Sequence, residues 1–184
     1  LADNDFFGAQ QVVLSSASSK TSLGLAFTLK QAAREGIAIV GLTSRANIAF
    51  VEATGYYTKV VAYEDITTLP LIPTVFVDMA GGGSVLASVH NHFADQLTYS
   101  CSVGGTHWED RVVTKDLPGP RPTLFFAPTQ IKKRHADWGP GGLDQRASRQ
   151  PQHAELDHRG RRDVRDRAQR AAPHDQVIPL VFGT

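Results

Sequence analysis

The chain has 184 residues, 41% of them hydrophobic and 20% charged, with a formal net charge of +1. That length implies one domain with enough apolar material for a sizeable core, and the near-zero charge balance gives no basis for nucleic acid or a membrane as the main partner. The single cysteine, Cys101, excludes an intrachain disulfide and a cysteine-based zinc site; no apolar run reaches membrane-span length and no secretory signal is visible, so a soluble, reducing, cytoplasmic setting is expected. In chain order, residues 11–15 are a short valine-rich run that predicts a buried strand. A helix is expected over residues 22–35, with Leu23 and Phe27 on one face and Gly36 as its stop. Residues 37–42 predict a second buried strand, 47–54 a helix closed by Gly55, and 59–63 a third strand. Residues 74–78 are a fourth strand, apolar until Asp78, and 85–93 read as a helix. Residues 97–103 and 123–127 are the fifth and sixth strands, the last ended by Pro128. Continuous apolar strands separated by helices predict an α/β fold, a doubly wound, Rossmann-like parallel sheet covered on both faces.

This domain is expected to span residues 1–142, leaving 143–184 as an irregular tail. Between Asp144 and Gln176 the only large aliphatic residues are Leu156 and Val164, and arginines recur at 146, 149, 159, 161, 162, 165, 167 and 170 without one lysine. Such a segment buries too little apolar surface to offset its ordering entropy. It reads as a basic tail for an acidic partner, as an unfolded or weakly helical end, or as off-frame translation of GC-rich coding sequence.

In a doubly wound sheet the turn after the first strand holds a dinucleotide's pyrophosphate, because backbone N–H groups and the positive helix end point at the anion. Here that turn is residues 15–22, SSASSKTS. Ser16, Ser18, Ser19 and Thr21 would supply amides and hydroxyls, Lys20 a charge, and Gly24 a close approach of helix to sheet. The plainer alternative is a hydrophilic loop with a helix cap. A Walker A loop competes through Ser19-Lys20-Thr21, but its leading glycine is absent at Leu14.

The second-strand turn, Thr43-Ser44-Arg45, lacks the carboxylate that would accept an NAD 2′-hydroxyl; its hydroxyls and guanidinium suit a 2′-phosphate, so NADP(H) is the expected cofactor. Helix capping by Ser44 with a solvated Arg45 explains the same letters. Asp78, Ala80 and Gly81 after strand four, and Ser102 and Gly104 after strand five, would line the ribose and nicotinamide side, or form ordinary strand-to-helix turns. His90 and His92 lie two apart on a helix and cannot chelate one ion together. His107, Trp108 and Glu109 are either substrate contacts or a packed loop. Cys101 is expected as a buried small hydrophobe, and Lys132-Lys133-Arg134 as a solvated basic face.

Three segments together resemble the cofactor half of the medium-chain dehydrogenase/reductase superfamily, which contains the quinone oxidoreductases. They are VVLSSASSKTSLGLA at 12–26, IAIVGLTSRANIAFVEA at 37–53 and TVFVDMAGGG at 74–83. With SCSVGGTHWE and FFAPTQIKKRHADWG they resemble an uncharacterised bacterial branch of that superfamily, over about residues 1–142. The resemblance implies a small-molecule cofactor and hydride transfer between nicotinamide and a carbonyl or enone. Two departures stand out. Serines at 16, 18, 19 and 22 occupy positions where glycines are usual, in a loop that reads about two residues longer, and the separate N-terminal catalytic domain has no counterpart here. The chain, beginning at Leu1, therefore reads as a piece of something longer. The alternatives to an NADP(H)-binding portion of an oxidoreductase-like protein are a non-catalytic Rossmann-like scaffold and an incomplete, inactive fragment; no catalytic acid or base is assigned.

Overall fold

A computed structural model of the chain describes residues 1–32, 36–80, 82–103 and 116–139. These fall into two compact units, one covering residues 1–126 and another beginning at Ala127. The first unit holds β1 (Gln11–Leu14), α1 (Lys20–Ala32), β2 (Ala38–Thr43), α2 (Ile48–Ala53), β3 (Lys59–Ala62), β4 (Thr74–Asp78), α3 (Gly83–Phe93), β5 (Leu97–Val103) and β6 (Thr123–Phe125). All strands run parallel in one sheet of order β3-β2-β1-β4-β5-β6, the doubly wound arrangement expected from the sequence.

The central strands β1 and β4 are buried along their whole length. A strand's side chains alternate between faces, so each central strand feeds two cores. Val12, Leu14, Val75 and Val77 pack with Leu25, Ala26 and Leu29 of α1 on one face. Val13 and Phe76 pack with Leu86, Val89 and Phe93 of α3 on the other. This is why neither strand shows polar alternation. Gln11 is buried within β1, and its Nε2 donates to Thr74 Oγ1 at 2.8 Å and to the Pro70 carbonyl at 3.1 Å, which satisfies the amide.

The second unit's described element is α4 (Ala127–Trp138). Strand six, expected over residues 123–127 with Pro128 as its end, is corrected: β6 stops at Phe125, and Pro128 sits in the first turn of α4. Proline is tolerated there because the first-turn N–H groups have no helical acceptor. Gly139, at φ +75°, closes α4 with its N–H on the His135 carbonyl at 2.9 Å. The basic face expected at residues 132–134 is corrected in one position: Arg134 is buried and pairs with Asp137 at 2.7 Å, while Lys132 and Lys133 are exposed. The tail at 143–184 lies outside the described residues.

Candidate functional site

In this strand order β1 lies between β2 and β4, and α1 and α3 cover opposite faces. The helices that follow β1 and β4 therefore lie on opposite faces, which makes the carboxyl rim between these strands the switch point at which doubly wound sheets bind ligands. The bottom of that region is tied by Ser15. Its Oγ donates to Asp78 Oδ1 at 2.7 Å and accepts from the N–H groups of Met79 (2.7 Å) and Ala80 (2.9 Å). One donor and two acceptor sites are all that a hydroxyl has, so Ser15 is saturated. Asp78, also buried, accepts from the Ala80 N–H at 3.0 Å, so its carboxylate is engaged in closing its own turn.

The backbone then bends at Ser16, which adopts φ +49°, a left-handed conformation that disfavours any residue with a Cβ. The Ser16 N–H donates to the Tyr63 hydroxyl at 3.0 Å, and the Ala17 N–H to the Leu42 carbonyl at 2.9 Å. Tyr57 braces the bend from the other side. Its hydroxyl donates to the Ala17 carbonyl and accepts from Ser22 Oγ, both at 3.0 Å. Burial pushes the Tyr57 phenol up to about 12, against a weaker opposing pull from the Ser22 hydrogen bond. Gly41 of β2 makes this packing feasible: a Cβ there would lie 2.8 Å from Ala17 Cβ and 2.9 Å from the Tyr57 ring.

Helix α1 begins at Lys20, two residues earlier than the sequence predicts, because Ser19 caps it. Ser19 Oγ accepts from the Ser22 N–H at 3.2 Å, and the Ser19 carbonyl from the Leu23 N–H at 2.9 Å. Among the described residues the N–H groups of Ser18, Lys20 and Thr21 have no hydrogen-bond partner. They cluster at the positive end of a 13-residue helix, which is a suitable cradle for phosphate oxygens. The side chains of Lys20 and Thr21 are exposed, and Ser18 Oγ accepts from Asn47 Nδ2 at 3.3 Å.

The other expected residues divide plainly. Thr43 is buried at the end of β2, Ser44 is exposed, and Arg45 is exposed but bonded to Asp65 at 3.0 Å. Gly24 is partly buried in α1, where its carbonyl accepts from Thr28 Oγ1 at 2.9 Å; Gly41 of β2 gives a second close approach, between the sheet and the loop at Ala17. Ala80 and Ser102 are half-buried at the ends of β4 and β5. Gly81, Gly104, His107, Trp108 and Glu109 lie outside the described residues. Ser15, Gly41, Tyr57, Tyr63 and Asp65 were not singled out from sequence. Each acts on a partner remote in the chain, and only Ser15, a small polar residue closing an apolar strand at the expected turn, carried a local signal.

Histidines 90 and 92 point to separate partners, as their spacing predicts. His90 is buried, with Nδ1 2.8 Å from the Pro118 carbonyl and Nε2 2.9 Å from Ser100 Oγ. The carbonyl can only accept, so Nδ1 carries the proton and Nε2 accepts from Ser100. Burial lowers the His90 pKa more strongly than the Pro118 bond raises it. His92 Nε2 lies 3.0 Å from the Leu69 carbonyl. Cys101 is buried, and desolvation pushes its thiol up to about 11. Among the described residues no group of three or more His, Cys, Asp or Glu could hold a metal ion, and no helix is long and apolar enough to cross a membrane.

Comparison with known proteins adds the following. The family described as "Protein of unknown function (DUF2855)" matches residues 1–169. No curated protein matches the chain. Among solved structures, the yhdH oxidoreductase from Salmonella enterica in complex with NADP superposes with a TM-score of 0.52 at 15% identity, over 83% of this chain and 47% of that one. The quinone oxidoreductase from Coxiella burnetii matches at 0.46 and 18% identity, over 74% of this chain and 44% of that one. Bacillus subtilis protein yhfP with NAD bound matches at 0.42 and 18% identity, over 73% and 43%. The chain thus spans less than half the length of these structures, and the match to the Salmonella enterica structure bears out the expected doubly wound fold.

Proposed function

The chain belongs to the DUF2855 family, and from that footing we propose that its α/β unit binds NADP(H) as the cofactor-binding portion of an oxidoreductase-like protein. The observation that carries this reading is the trio of unpartnered amides, Ser18, Lys20 and Thr21, at the start of α1 beside the point where strand order reverses. These amides would hold the pyrophosphate, Lys20 would add charge, and the short residues Ala80 and Ser102 would leave room along the rim. Ser44 and Arg45 would receive the adenosine ribose and its 2′-phosphate. When bound, the nicotinamide would supply hydride exchange with a carbonyl or enone; the chain's own part is to bind and orient it.

The test is a titration of the full chain with NADPH and with NADH, following thermal unfolding. Ligand that binds only the folded state stabilises it by about 2.7 kcal/mol at a hundredfold excess over Kd. NADPH is expected to raise Tm more than NADH. Equal shifts remove the 2′-phosphate argument, and no shift with either overturns the reading. Arg45→Glu is expected to weaken NADPH selectively, by about 1–3 kcal/mol.

One observation favours a second reading, a non-catalytic scaffold. Ser15, Ser19 and Ser22 hydroxyls and the Ser16 and Ala17 amides all bond within the protein, and Tyr63 sits on an amide of the loop. A bend held by these internal bonds would stand without any ligand, and the scaffold reading predicts no shift with either dinucleotide.

A further inference from the structure

The rim beside the α1 turn is closed by three contacts between three separate segments. The Ser16 amide meets Tyr63, Asn47 of the turn after β2 meets Ser18, and Arg45 of that same turn meets Asp65 at 3.0 Å. Asp65 is presented from a well-anchored 3-10 turn, Tyr63–Thr68. Ile66 and Leu69 fix that segment in the core, and Thr68 Oγ1 bonds the Asp65 carbonyl at 2.7 Å. The carboxylate is therefore held where Arg45 can reach it. Both partners remain open to solvent, with Arg45 66% and Asp65 43% exposed, so an incoming anion could reach the guanidinium.

We infer that Asp65 is a specificity-determining residue of this rim: it holds Arg45 and competes with a ribose 2′-phosphate for the guanidinium. The inference rests on the dinucleotide reading above. A 2′-phosphate carries close to two negative charges, so it must both displace Asp65 from Arg45 and lie near its carboxylate. A 2′-hydroxyl meets neither obstacle and can donate to that carboxylate. Asp65 thus reduces the advantage that Arg45 confers on the phosphorylated dinucleotide.

The experiment uses the full chain and two pairs of probes, adenosine 2′,5′-bisphosphate against 5′-AMP and NADPH against NADH, titrated by calorimetry. Asp65→Asn is expected to raise the affinity ratio in each pair about two- to fivefold, the scale of an exposed charge pair. Asp65→Glu should keep the parent ratio, Asp65→Ser should repeat the rise, and the rise should shrink in an Arg45→Gln background. A ratio that is unchanged or lower in Asp65→Asn and Asp65→Ser, with parent Tm, overturns the inference while leaving the cofactor reading in place. Failure of the parent chain to bind any of the four probes overturns both.

Discussion

Ser16 adopts a conformation normally left to glycine. At φ +49° its Cβ crowds the backbone, which costs a non-glycine residue about 1–2 kcal/mol. The bend persists because its neighbours over-determine it: Ser15 is clamped to the β4 turn, Ala17 to β2, and the Ser16 amide to Tyr63. Ser16→Gly is expected to leave stability unchanged or raise it by up to about 1 kcal/mol, since relief of strain outweighs the added freedom of the unfolded chain. Ser16→Val should lower it by about 1–3 kcal/mol, because a β-branched side chain fits this conformation worst. Urea midpoints check both; a loss in Ser16→Gly matching that in Ser16→Val would mean that the serine hydroxyl, not the backbone, governs the bend.

At the scale of elements, the loop, α1 and β2 are built as one block. Ser19 starts the helix, Tyr57 spans loop and helix, and Gly41 lets the loop lie directly on β2. Gly41→Ala is therefore expected to destabilise the protein by about 1–3 kcal/mol through overpacking, although alanine suits a buried strand at least as well as glycine. Chemical unfolding measures it, and an unchanged midpoint would show that the Tyr57 ring moves aside at no cost. The helix starts show how local and remote signals differ. The serine cluster pointed to a cap somewhere in residues 15–22, but which serine caps depends on where the loop is held by β2. At the other end, Pro128 was legible as a boundary, yet a proline before a helix and one after a strand look alike in sequence.

Over the whole molecule, buried titratable groups set the pH range of stability. His90 is held neutral between Pro118 and Ser100, and its pKa is lowered. As pH falls below about 6.5 the unfolded chain takes up a proton that the folded chain refuses, so stability is present above that pH and declines below it. Tyr57 and Cys101 act at the other limb. Their pKa values are raised to about 12 and about 11, so the folded chain keeps protons that the unfolded chain releases, and stability falls as pH rises beyond 9 to 10. Thermal unfolding across pH should show both declines. His90→Gln should flatten the acid one and Tyr57→Phe the alkaline one above pH 10; an acid limb unaltered in His90→Gln would place its origin elsewhere.

The fold was readable from residue order because its signals are local: largely apolar runs of four to six residues, glycines after helices, and helical stretches between them are enough to require a covered parallel sheet. The same reading located the β1–α1 turn and its small residues. It did not reveal that Ser15 stitches β1 to β4, that Tyr57 and Tyr63 grip the turn, or that Asp65 occupies Arg45. Those contacts join residues 20 to 65 positions apart, and hydrogen-bond partners at that separation are set by strand register and crossover geometry, which no short window of sequence contains.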